Sequence, residues 1–71
     1  MDNETGDRMP IVTIDLWEGR TVEQKREIVR AVTSAVANAA GCPPDAVWVV
    51  IRDVSKDNWG MGGKLASEVF P

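Results

Sequence analysis

Residues 10–25 read PIVTIDLWEGRTVEQK, a strand pattern that runs through a turn into the start of a helix. Ile11 to Trp17 is rich in β-branched and large apolar side chains, which pack well on a pleated surface. At a side-chain period of two, Val12, Ile14 and Leu16 share one face, while Ile11, Thr13, Asp15 and Trp17 share the other. Glu18-Gly19-Arg20 turns the chain. Thr21-Val22-Glu23-Gln24 then has capping-box spacing, in which the Thr hydroxyl and the Gln side chain satisfy each other's orphan amides.

Downstream of that cap, Ile28, Val32, Ala35, Val36 and Ala39 recur at helical spacing, and Val29 widens the stripe. Lys25, Arg26, Arg30 and Asn38 fall largely off it. The pattern predicts an amphipathic helix that ends at Gly41, with Pro43-Pro44 preventing continuation. Ala46 to Val54 (AVWVVIRDV) predicts a second strand, apolar on both faces at its centre, as in a parallel, covered sheet. Strand, helix and strand in this order imply a right-handed β-α-β crossover. One helix covers one face of a two-stranded sheet. The other face needs a partner, and Trp17, Trp48 and Val50 are the candidates to meet it. Lys56-Asp57-Asn58 reads as a turn, the glycines of Gly60-Met61-Gly62-Gly63 predict a tight hairpin or bulge, and Leu65 to Glu68 predicts a last helical turn. The fold class is α/β (α+β): a single β-α-β unit with a C-terminal β-hairpin over residues 10–71. Residues 1–9 (MDNETGDRM) are polar and aperiodic, and read as an N-terminal extension, disordered or a start-site artefact.

A chain of 71 residues lies near the lower limit for folding alone, since about 60 residues bury only about 60% of the surface exposed when unfolded. Such chains add disulfides, a metal or partner subunits. Cys42 is the only cysteine and histidine is absent, so neither an internal disulfide nor a zinc site is expected. Self-association is the remaining staple, and two protomers are expected to join their strand pairs into a four-stranded sheet with both helices on one face. The formal charge of -3 and pI near 4.7 argue against nucleic acid as a partner. No apolar run approaches the roughly 20 residues of a membrane span, and the first residues lack the pattern of a signal peptide. With a free cysteine, this predicts a cytoplasmic protein.

The stretch Pro10-Ile11-Val12, Leu16-Trp17-Glu18-Gly19-Arg20-Thr21 and Glu23-Gln24-Lys25 resembles the start of the 4-oxalocrotonate tautomerases. Asn58-Trp59-Gly60-Met61-Gly62-Gly63 and Leu65-Ala66-Ser67 resemble their C-terminal hairpin. The match runs without apparent gaps from Pro10 to about Val69. The resemblance implies a homohexamer of three dimers and a cofactor-free keto-enol isomerase acting on a small unsaturated 2-hydroxy or 2-oxo carboxylic acid, such as a 2-hydroxy-dienoate of aromatic degradation or a phenylenolpyruvate-like acid. It implies that Pro10 is the general base, provided its amine is free. A free α-amino group titrates near about 7.7–8.0, and an apolar pocket beside an arginine lowers that toward neutrality, where a base works best.

In the chain as written, the Pro10 nitrogen belongs to the Met9–Pro10 amide and has no basic lone pair. Translation starting at Met9, followed by removal of that methionine, exposes the amine. A retained extension leaves the site silent or dependent on processing. By the same resemblance, Arg20 binds a substrate carboxylate through its bidentate fork, and Trp59 walls the site. Arg20 otherwise reads as a turn residue pairing with Glu18 or Glu23, and Trp59 as core or interface. The best-studied family members carry a second arginine where this chain has Trp48, whose indole N–H donates only one hydrogen bond. Losing one preorganised donor costs about 10²–10³ in rate. Arg52, on the same strand face, is a substitute candidate. Decarboxylation or hydration at the same site is the alternative chemistry. Gly60-Met61-Gly62-Gly63-Lys64 lacks the spacing of a phosphate loop, Cys42 has no histidine to activate it, and Asp15, Glu18 and Glu23 read as solvated carboxylates.

Overall fold

The computed structural model describes residues 10–71; the expectation for residues 1–9 lies outside the described residues. Strand β1 (Ile11–Trp17) has the expected bounds, and its accessibility alternates as its sequence does, with Val12, Ile14 and Leu16 half-buried. Helix α1 (Val22–Ala40) opens on the anticipated cap. The Gln24 N–H donates to Thr21 Oγ1 at 3.1 Å, and the Thr21 N–H donates to Gln24 Oε1 at 2.9 Å. It closes at Gly41, where φ of +72° is left-handed and the Gly41 N–H donates to the Ala37 carbonyl.

Strand β2 (Trp48–Val54) starts two residues later than expected. Pro44–Ala46 instead forms a 3₁₀ turn, because the paired prolines fix φ and Val47 N–H donates back to the Pro44 carbonyl. β1 and β2 pair in parallel, with Ile11 opposite Trp48, Thr13 opposite Val50 and Asp15 opposite Arg52 on one face. Val12 opposite Val49 and Ile14 opposite Ile51 form the other face, which α1 covers. A short antiparallel hairpin, β3 (Gly60–Met61) and β4 (Lys64–Leu65), follows a 3₁₀ turn at Lys56–Asn58. Gly62 and Gly63 have φ of +60° and +87°, the signs that a two-residue type I′ turn requires. Helix α2 (Ala66–Val69) ends the fold.

Two helix expectations need correction. Val29, Ala35 and Ala39 are exposed, and Ala37 is buried instead. A two-stranded sheet is narrow, so α1 presents only the arc of Ile28, Val32, Val36 and Ala37 to it. Lys25, expected largely off the stripe, turns toward the sheet. It is half-buried, and its Nζ lies 2.5 Å from Asp53 Oδ2, tying the first turn of α1 to the end of β2.

Among the described residues, full burial is confined to Ala37, Ala46, Val47 and Ala66, and no large side chain is fully enclosed. The sheet face away from α1 stays open, with Ile11 47%, Trp48 55% and Val50 45% exposed. Trp17 departs from the expectation that it would join them. At the end of β1 it is covered within the protomer by Trp59 and Phe70, which the hairpin and α2 fold back onto it.

Candidate functional site

Pro10 sits half-buried at the mouth of β1, where its carbonyl accepts the Trp48 N–H at 3.0 Å. That bond extends the parallel ladder one residue and fixes the start of β1 beside the start of β2. Trp48 lies exposed on the open face, opposite Ile11. Arg52 shares that face but is held by its cross-strand neighbour, with Nε 3.6 Å from Asp15 Oδ1.

Arg20 stands at the other end of β1. Gly19, at φ of +117°, makes the reversal that other residues adopt only with strain. The Glu18 N–H donates to the Val54 carbonyl at 3.0 Å, and Thr21 caps α1, so the backbone is anchored on both sides of Arg20. Its side chain is exposed and has no partner among the described residues, because Glu23 pairs with Arg26 instead. The turn-pairing expectation for Arg20 with Glu23 therefore does not hold.

Trp59 is half-buried beside that same end. Its ring meets Trp17 edge-on, 5.7 Å between centroids at 78°. Phe70 packs on Trp17 at 5.6 Å, and Lys56 Nζ lies 5.1 Å from the Trp17 ring centroid while donating to the Phe70 carbonyl at 2.9 Å. The Trp17 Nε1–H is buried without a partner, a cost of about 1–3 kcal/mol offset by the surrounding aromatic contacts. The sequence offered no local signal for this cluster, since its members come from three separate segments: the end of β1, the turn from Lys56 to Trp59, and the C-terminus. The Lys25–Asp53 pair escaped for the same reason.

β1 separates two groups. Six residue steps at about 3.3 Å put Ile11 and Trp17 roughly 20 Å apart. Pro10 and Trp48 lie at one end of the sheet, and Arg20 and Trp59 at the other. One protomer therefore does not bring Pro10 to Arg20 and Trp59, and no pocket lies among its described residues.

Comparison with known proteins finds the tautomerase enzyme family matching residues 10–68. The chain belongs to the tautomerase family. It is 44% identical over 61 residues to the 2-hydroxymuconate tautomerase of Comamonas testosteroni, covering 86% of this chain and 97% of that one. A solved chain of the 4-oxalocrotonate tautomerase isozymes of Methylibium petroleiphilum superposes with a TM-score of 0.83 at 47% identity, covering 87% of this chain and all of that one. A heterohexamer 4-oxalocrotonate tautomerase from Chloroflexus aurantiacus gives 0.82 at 36% identity, covering 86% and 98%. These matches bear out the 4-oxalocrotonate tautomerase resemblance and the β-α-β fold, and they class this tautomerase as an isomerase. They also show that tautomerases of this fold include oligomers. No described helix is long and apolar enough to cross a membrane.

Proposed function

We propose that this tautomerase moves a proton between oxygen and carbon of a small unsaturated 2-hydroxy acid, with a free Pro10 amine as the base. The observation that carries this reading is that the family match opens at Pro10, the residue at the mouth of β1. The amine accepts the enol O–H proton as the C–O bond gains carbonyl character. The ammonium then returns a proton to C3 or C5, and the site ends as it began. Neither cofactor nor metal enters that cycle.

Arg20 holds the substrate carboxylate, and Trp59 supplies an apolar wall that keeps water from the amine. Since these lie at the far end of the sheet from Pro10, each site takes Pro10 from one protomer and Arg20 with Trp59 from a neighbour. Trp48 contributes at most an indole N–H, and Arg52 joins only by releasing Asp15. The open face of Ile11, Trp48 and Val50 is the surface on which protomers meet, as a homohexamer whose interior those faces fill. A cytoplasmic location suits the free thiol of Cys42.

Arg20→Ala should raise KM for an enol acid by tenfold or more, the loss of about 1.5–3 kcal/mol expected for a hydrogen bond to a charged group. Unchanged kcat and KM would remove Arg20 from the site. A second reading follows from the Met9–Pro10 amide of the full chain: where residues 1–9 persist, the oligomer assembles and the base is absent.

A further inference from the structure

Most cations in the described chain are already committed. Lys25 pairs with Asp53, Arg26 with Glu23, Arg30 with Glu27 and Arg52 with Asp15. Lys56 is held by the Phe70 carbonyl and the Trp17 ring. That leaves Arg20 and Lys64 as the two without a partner among the described residues, and both lie at the Trp59 end of the molecule.

The hairpin register fixes where Lys64 points. Ala66 N–H donates to the Trp59 carbonyl at 2.7 Å, Gly60 faces Leu65, and Met61 faces Lys64. With side chains alternating along each strand, Trp59, Met61, Lys64 and Ala66 share one hairpin face. Trp59 and Met61 are half-buried and Ala66 is wholly buried, Lys64 is exposed at the hairpin tip, and Gly60 and Leu65 on the opposite face are exposed. Lys64 therefore springs from the inward face at the hairpin tip, two residue steps or about 7 Å along the ladder from Trp59. Arg20 is three residues beyond Trp17, at most about 11 Å of chain from the tryptophan that Trp59 packs against.

We infer that Lys64 is a specificity residue of this site, binding a second anionic group on the substrate while Arg20 binds the first. The inference rests on the proposed role of Arg20. It assigns charge recognition at both substrate ends to the Trp59 side of the site, and it does so without any cation at position 48.

The test is calorimetric binding to the purified oligomer, using adipate and hexanoate as unreactive six-carbon probes with two carboxylates and one. The wild-type protein should bind adipate about fivefold more tightly than hexanoate, the scale of one solvent-accessible ion pair. Lys64→Met should abolish that preference, Lys64→Arg should keep it, and raising salt should erode it. A preference that survives Lys64→Met, or none in the wild-type protein, overturns the inference. Arg20→Ala distinguishes failure of the Lys64 contact from failure of the proposed site. Weakened binding of both acids in Arg20→Ala, with an unaltered preference in Lys64→Met, overturns Lys64 alone. Equal affinities of Arg20→Ala and wild type for both acids overturn the proposed site as well. Native mass confirms the assembly of each variant.

Discussion

Complementation between two inactive variants tests whether the site is shared. A form that retains residues 1–9 holds the Pro10 nitrogen in an amide and so lacks the base, and Arg20→Ala removes the carboxylate contact, so each homo-oligomer should lose most activity on an enol acid held below the wild-type KM. The two side chains stand at opposite ends of a strand of seven residues, which spans roughly 20 Å. A six-carbon substrate with an arginine reaching toward it does not bridge that gap around the folded sheet. The proposed site must therefore take Pro10 from one protomer and Arg20 from another. With equal co-expression and random assembly, half of the protomers carry an intact Pro10 and half an intact Arg20. The chance that one site receives both is roughly one quarter, so mixed oligomers should regain roughly a quarter of wild-type activity. The assay is initial-rate tautomerisation by absorbance, on oligomers shown by native mass to contain both variants. Mixed oligomers no more active than the two homo-oligomers together would refute the shared site.

The open sheet face makes a separate prediction. Val50 is 45% exposed in the protomer, and covering the rest contributes about 1 kcal/mol, while an unpaired carboxylate placed there costs several more. Val50→Asp should therefore shift sedimentation toward smaller species at micromolar concentration; an unaltered oligomer would mean that this face is not an interface. At the start of α1, Thr21→Ala removes a cap worth about 1 kcal/mol and should lower Tm by about 4–8 °C at fixed protein concentration. An unchanged Tm would show that the capping box contributes nothing to stability.

Local chemistry carried most of the fold into the sequence. β1 alternates because its side chains do, and Thr21, Gln24 and Gly41 bound α1 through hydrogen bonds and a left-handed residue that depend only on near neighbours. The same holds for the turn at Gly62-Gly63. Ala35, Ala37 and Ala39 were beyond such reading, because which alanines are buried depends on how α1 lies across a sheet only two strands wide. Trp17 was misplaced for a related reason: the strand pattern put it on the open face, and residues more than forty positions away cover it. The site divides similarly. Pro10, Arg20 and Trp59 stand out by motif, but their separation along β1 is a property of the folded protomer, and so is the commitment of Arg52 to Asp15. Lys64 gains interest only once the other cations are seen to be paired.

In the proposed reaction a free secondary amine at Pro10 performs the proton transfer. The direct measurement compares two forms of this protein, one beginning at Pro10 and one retaining residues 1–9, at equal oligomer concentration on the same enol acid near neutral pH. Turnover is expected in the Pro10-initiated form and background rates in the extended form, with native mass showing both assembled. Equal turnover in the two forms would contradict that reaction, because an amide nitrogen cannot serve as the base.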